Sequence, residues 1–137
     1  MIQFIAEGVP MPAIDEGKIR TWIRAVAAGY GMHCGDITYI FCNDERILAV
    51  NRQFLQHDYY TDVITFDYSC HPMIAGDIFI SLDTVASNAE TAGIRFEDEL
   101  HRILIHGVLH LTGQGDKTPE TRAEMTRKEN LALQMLT

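Results

Sequence analysis

The chemistry of this chain is concentrated in one stretch, His106-Gly107-Val108-Leu109-His110-Leu111-Thr112-Gly113-Gln114-Gly115-Asp116. Two histidines four residues apart in an apolar helical run stack on one face of a helix, about one turn apart. A single metal ion can then take both imidazoles. Gly113 can end the helix in the left-handed conformation that other residues avoid. The chain then turns back and can bring Asp116 to the same ion. Two histidines and an aspartate make three protein ligands, the number that catalytic zinc sites use while keeping a fourth position open.

The plainer reading is a pair of partly buried helix histidines, and the pair alone does not exclude it. Gly113 and Asp116 tip the balance, because metzincin peptidases use the same offsets for their turn and third ligand. One zinc ion per chain, held by His106, His110 and Asp116, is therefore expected. Such an ion lowers the pKa of bound water from about 15.7 to about 7 and polarises phosphoryl or carbonyl oxygens. The reaction class is metal-assisted hydrolysis.

These residues need a frame. The 137 residues suit one compact domain with a real core. A hydrophobic content of 47% and a charged content of 22% are those of an ordered globular chain. The opening Met1-Ile2-Gln3-Phe4-Ile5 lacks the basic start and long apolar run of a secretory leader. No stretch approaches the roughly 20 apolar residues that span a bilayer. A cytoplasmic protein with no membrane partner is expected, with Cys34, Cys42 and Cys70 as reduced thiols. The net charge of −8 argues against broad, non-specific nucleic-acid binding, although a local basic cleft or a phosphate-binding metal stays open.

The hydrophobic pattern predicts an α+β fold: a single domain, residues 1–137, with a mixed four-stranded sheet packed with about five helices. Strands are expected at Ile2 to Ala6, Asp36 to Cys42, Asp62 to Asp67 and Asp77 to Ser81, with Ser69 to Ala75 as a connection around Pro72. A helix over Ile14 to Tyr30 places Lys18, Arg20 and Arg24 on a solvated face. Asn43 caps a helix through about Leu55, with Asp44 and Glu45 in its first turn. A helix from Asp83 to about Ala92 ends at Gly93. The metal helix runs from about Arg95 to Thr112, with Phe96, Leu100, Ile103, Leu104 and Gly107 as its core stripe. Thr118-Pro119-Glu120 opens a last helix whose apolar stripe is Met125, Ala132, Met135 and Leu136.

Three blocks in this order resemble the YbeY family of bacterial zinc-dependent endoribonucleases, the rRNA maturation factors. They are Leu48-Ala49-Val50-Asn51 through Thr61-Asp62-Val63-Ile64-Thr65-Phe66, then Gly76-Asp77-Ile78-Phe79-Ile80, then His106-Gly107-Val108-Leu109-His110-Leu111-Thr112-Gly113. Together they cover about residues 40 to 135, and the last block is the specific one. The resemblance implies cleavage of single-stranded RNA, with a role in 16S rRNA 3′-end processing and ribosome quality control. It makes rRNA the expected substrate and ribosomal subunit proteins possible partners. Two positions depart from the family pattern. Most members carry a third histidine where this chain has Asp116, which lowers the charge of the site by one unit. Leu55 stands where the family usually has a phosphate-touching arginine near the cleft. His57 could take over that contact, or could simply face solvent.

Zinc peptidases of the His-Glu-x-x-His kind carry a glutamate beside the first ligand as general base. Here that position is Gly107, so a metalloprotease-like hydrolase ranks behind a nuclease. A third class is a non-catalytic ribosome-assembly or RNA-binding factor with a structural metal. That class normally needs a fourth protein ligand. His101 is rotated about 140° around the helix from His106, and His33 and His71 fall in expected loops. Asp62 and Asp77 are either cleft carboxylates or strand-end anchors, the second being the simpler reading. Lys117 is placed to meet a phosphate near the metal, or faces solvent.

Overall fold

The computed structural model describes residues 1–55 and 61–136. Four strands, β1 (Ile2–Ala6), β2 (His33–Cys42), β3 (Val63–Asp67) and β4 (Met73–Ser81), form one sheet in the order β1-β2-β4-β3. β1, β2 and β4 run parallel, with Ile2 opposite Ile37 and Thr38 opposite Asp77. β3 closes the sheet antiparallel, with Phe66 opposite Asp77. Five α-helices pack on this mixed sheet: α1 (Glu16–Gly29), α2 (Asp44–Val50), α3 (Leu82–Ala92), α4 (Phe96–Leu111) and α5 (Pro119–Leu136). The expected α+β architecture is the one observed.

Alternation along the strands sorts the core into two parts. Ile37, Tyr39 and Phe41 of β2 and Ile78 and Ile80 of β4 meet Ile19, Trp22, Ile23 and Val26 of α1 and Leu100, Leu104, Val108 and Leu111 of α4. A smaller cluster joins Cys42 and Ile64 to Ile47 and Val50 of α2, with Phe66 and Phe79 packed against it. Buried polar atoms are matched: the Tyr39 hydroxyl donates to the Leu104 carbonyl at 2.7 Å, and the Trp22 indole donates to the Ala132 carbonyl at 2.7 Å.

The caps follow the sequence. Asn43 accepts from the Arg46 amide and starts α2; Gly93 adopts φ +68 and ends α3. Several boundaries differ from expectation. β4 begins at Met73 rather than Asp77, because the turn at Pro72 is tight: Cys70 and Met73 already pair across it. β2 begins at His33, with a register irregularity between Cys34 and Ile37 that lets its first residues reach Met73 and Ile74. The helix after Asn43 leaves α geometry at Val50 and continues as a π-helical turn, Asn51–Leu55.

Two stripe residues are not core. Phe96 is 38% exposed and Met135 55% exposed, because both sit in end turns that overrun the helices' main contacts. Arg20 is not simply solvated: its Nε donates to the Ile2 carbonyl at 2.8 Å and its guanidinium lies over the Phe4 ring. Lys18 and Arg24 are exposed as expected. Cys34, Cys42 and Cys70 are free thiols. No helix among the described residues is long and apolar enough to cross a membrane.

Candidate metal centre

α4 presents its two candidate ligands because its other face is committed to the sheet. Leu100, Ile103, Leu104, Gly107, Val108 and Leu111 are buried, which turns His106 and His110 toward the α5 side and the cleft. Gly107 is the closest approach to the sheet. A Cβ added there would lie 2.8 Å from Ile78 Cδ1 and 3.0 Å from Ile78 Cγ2. The position after the first histidine therefore faces β4 rather than the cleft.

The helix ends as its sequence predicts. Thr112 is the C-cap, and Gly113 takes φ +104. The Gln114 amide returns to the Leu109 carbonyl at 3.1 Å, and the Gln114 side chain ties the following turn to the Thr121 carbonyl at 3.3 Å. This tight return brings Asp116 back over the last turn of α4.

His106, His110 and Asp116 converge. Asp116 Oδ2 lies 3.3 Å from Nε2 of each histidine, and the two imidazoles stand nearly perpendicular at 86°. Among the described residues these three form the group of side chains whose ligand atoms, all within 4.8 Å of one another, could hold a metal ion. The two histidine–aspartate spacings suit a tetrahedral cation. Ligand atoms about 2.1 Å from zinc are about 3.4 Å apart along a tetrahedral edge. The side chains are 16%, 27% and 33% exposed in that order, so the group opens toward solvent on the Asp116 side.

Both Nδ1 atoms face acceptors. His106 Nδ1 lies 2.6 Å from Glu129 Oε2, and His110 Nδ1 lies 2.9 Å from the Gln114 carbonyl oxygen. A proton on each Nδ1 satisfies these contacts and leaves both Nε2 lone pairs directed at the position beside Asp116. The electrostatics of the two rings differ. Burial pushes His106 down, but the Glu129 hydrogen bond and the charges of Glu129, Asp116 and Asp62 outweigh it and hold His106 above the usual histidine value. Burial, aided by the charge of His106, leaves His110 below it. Burial raises Glu129, yet the bonds from His106 and Arg102 hold it below the usual carboxylate value.

The remaining candidates divide. Asp62, just before β3, is near enough to His106 for their charges to interact. Burial raises its carboxyl despite the pull of His106, and its carboxylate meets Asn88 at 3.5 Å while its carbonyl anchors the Ser81 amide. Asp77 lies inside β4, where the Tyr68 hydroxyl donates to it at 3.4 Å, away from the histidines. Lys117 is exposed next to Asp116. Leu55 ends the π turn and is exposed; His57 lies outside the described residues. His101 packs edge-on against Trp22, while His33 and His71 are exposed at the far ends of β2 and of the turn before β4.

Sequence reasoning missed Glu129 and Arg102. The signal was present: the inward face of α5 runs Met125, Glu129, Ala132, with Leu136 packed beside it, a helical period broken only by a carboxylate.

Three side chains that could hold a metal ion thus meet at the end of a helix buried on a mixed sheet, an arrangement compatible with a hydrolase. Comparison with known proteins makes the assignment specific. The model of the family described as Endoribonuclease YbeY matches residues 11–137. A protein named Endoribonuclease YbeY from Bacteroides thetaiotaomicron is 55% identical over 134 residues, covering 98% of each chain. Its namesake from Cytophaga hutchinsonii is 45% identical over 135 residues, covering 98% of this chain and 94% of its own. A solution structure of a Thermotoga maritima protein shares the fold, with a TM-score of 0.69 at 24% identity, over 99% of this chain and 89% of that one. The chain belongs to the YbeY endoribonuclease family.

Proposed function

We propose that this protein is a zinc-dependent, single-strand-specific endoribonuclease that acts in 16S rRNA 3′-end maturation and ribosome quality control in the cytoplasm. His106, His110 and Asp116 hold one zinc per chain, and rRNA in its ribosomal-subunit context is the substrate. The observation that carries the reading is the convergence of two Nε2 atoms on one Asp116 oxygen in a chain of this family. A divalent ion there supplies Lewis-acid polarisation of a phosphoryl oxygen and activation of water.

The chain's own groups do the rest. Glu129 and the Gln114 carbonyl hold the rings in place. The open side toward Asp116 and Lys117 admits a phosphate. A peptidase reading loses support, because the position of its general base packs on Ile78. A structural-metal reading loses support too: the histidines outside the cluster that are described lie elsewhere, and among the described residues the group offers three candidate ligands rather than four.

The test is metal analysis of protein purified without added metal, paired with cleavage assays on single-stranded RNA, duplex RNA and an unfolded protein. One zinc per chain with chelator-sensitive cleavage of single-stranded RNA supports the reading. Metal without RNA cleavage supports the assembly-factor alternative, and proteolysis supports the peptidase.

A further inference from the structure

The metal centre continues behind its ligands into α5. Glu129 is 6% exposed, and its two carboxylate oxygens are divided between two partners on α4. Oε2 faces His106 Nδ1 at 2.6 Å, and Oε1 accepts from Arg102 Nη1 at 2.8 Å. Arg102 is one helical turn before His106, and its Nη2 also donates to Asn130 Oδ1 at 2.8 Å. An interhelical ion pair between α4 and α5 needs only one of these oxygens. The other is spent on the ring nitrogen that does not face the cleft.

An ionised carboxylate can only accept a hydrogen bond, so Glu129 selects the Nδ1–H form of His106 and frees Nε2. At His110 the same task falls to a backbone carbonyl, which no substitution removes. The two ligands are therefore fixed by different means, and only the His106 support is a side chain.

We propose that Glu129 is a positioning residue for the metal centre, with Arg102 as its brace, and that metal occupancy is thereby coupled to the docking of α5 on α4. The inference rests on the metal reading above. Buried ligand-orienting carboxylates of this kind are worth about 10- to 100-fold in metal affinity.

The informative variant is Glu129→Gln. Arg102 carries only donors, so it turns the amide oxygen toward itself. The amide NH₂ is then left facing His106 Nδ1. That donor favours the Nε2–H form, in which the proton points at the metal position. A substitution that merely loosened α5 would have no such preference, and Asn130→Ala supplies that control because it breaks an α4–α5 bond without touching His106.

Zinc affinity is measured by competition with a chromophoric chelator, and the imidazole tautomers by ¹⁵N NMR. In the wild-type protein the His106 Nδ1 proton should be strongly deshielded and slow to exchange, with and without zinc. Glu129→Gln should weaken zinc binding about 10- to 100-fold and shift apo His106 toward the Nε2–H form. Asn130→Ala should change affinity less than threefold. The metal-induced rise in melting temperature should shrink in Glu129→Gln by more than in Asn130→Ala. If wild-type protein binds no zinc, the metal reading itself fails. If it binds zinc while Glu129→Gln binds equally well, or while wild-type His106 carries its proton on Nε2, the inference about Glu129 fails alone. The wild-type NMR result decides the matter even if the variant does not fold.

Discussion

Replacing Gly107 by alanine tests how tightly the metal helix is seated. Two effects of known size oppose each other. Alanine in a helix interior is favoured over glycine by about 1 kcal/mol. Against this, the new Cβ would stand 2.8 Å from Ile78 Cδ1, closer than real Cβ contacts come, and 3.0 Å from its Cγ2, tighter than most. Ile78 is fully buried in the middle of β4 and cannot swing away. Overpacking of a well-filled core typically costs about 1–3 kcal/mol, so the net effect of Gly107→Ala should be a loss of up to about 2 kcal/mol.

The clash has a specific cure. Ile78→Val removes Cδ1, the nearer atom, at its own cost of about 0.5–1.5 kcal/mol. In the double variant the new methyl at position 107 takes up the vacated space. The two losses should then fail to add by about 1 kcal/mol or more, as expected for residues in direct contact. Urea unfolding of the metal-free single and double variants measures this. A stabilising Gly107→Ala, or strict additivity in the double variant, would refute the argument that Gly107 exists for close approach to β4. The same geometry predicts that Gly107→Glu gains no peptidase activity, since its carboxylate would be driven into Ile78 rather than presented to the cleft.

His106→Ala and His110→Ala should each reduce zinc content to well below one per chain while the fold persists, as judged by metal analysis and circular dichroism; full zinc retention would place the ligands elsewhere. The metal-free protein should show a definite pH signature. His106 is held above its usual value, so its contribution is complete below about pH 6.5 and lost as pH rises through its higher folded value. Glu129 is held below its usual value, so its contribution is present above about pH 4.3 and lost as pH falls through its lower folded value. The stability gap between wild type and Glu129→Gln should therefore be widest between about pH 4.3 and 6.5, and a gap that grows steadily toward alkaline pH would overturn this. RNA binding should depend shallowly on salt and collapse on chelation, because the chain has few basic side chains with which to neutralise phosphates; a slope implying six or more phosphate contacts, unchanged in the apo protein, would point to a binding module.

The convergence of the candidate ligands was legible because such a group leaves a rigid trace in sequence. His106 and His110 share a face by helical period, and Gly113 marks where the chain can reverse. The strands were legible where alternation was clean, as in Val63–Asp67. Reading failed where a local signal conflicted with tertiary context. Pro72 suggested a broad connection, yet β4 starts at the very next residue because Met73 and Ile74 pair with β2. Phe96 and Met135 matched an apolar stripe that extended past the packed surface. Glu129 escaped because a period search admits only apolar residues to an inward face. Its partners, His106 and Arg102, are 23 and 27 residues away in the chain, and no local pattern joins them.

The carboxylates around the site shape what it can bind. Asp62, Glu99, Asp116 and Glu129 all act electrostatically on His106 or on one another, and burial raises Asp62 and Glu99 in particular. Arg102, the cation among them, is already committed to Glu129 and Asn130. Without a metal, these carboxylates disfavour a phosphate. A divalent ion held by Asp116 and the two Nε2 atoms would offset that charge at the open side of the group. In a chain of net charge −8, the metal reading proposed above would make the ion the principal anchor for a phosphodiester as well as the source of its activation. Substrate binding and cleavage competence then depend on a single event. Glu129 governs that event from α5, a helix whose sequence otherwise reads as packing alone.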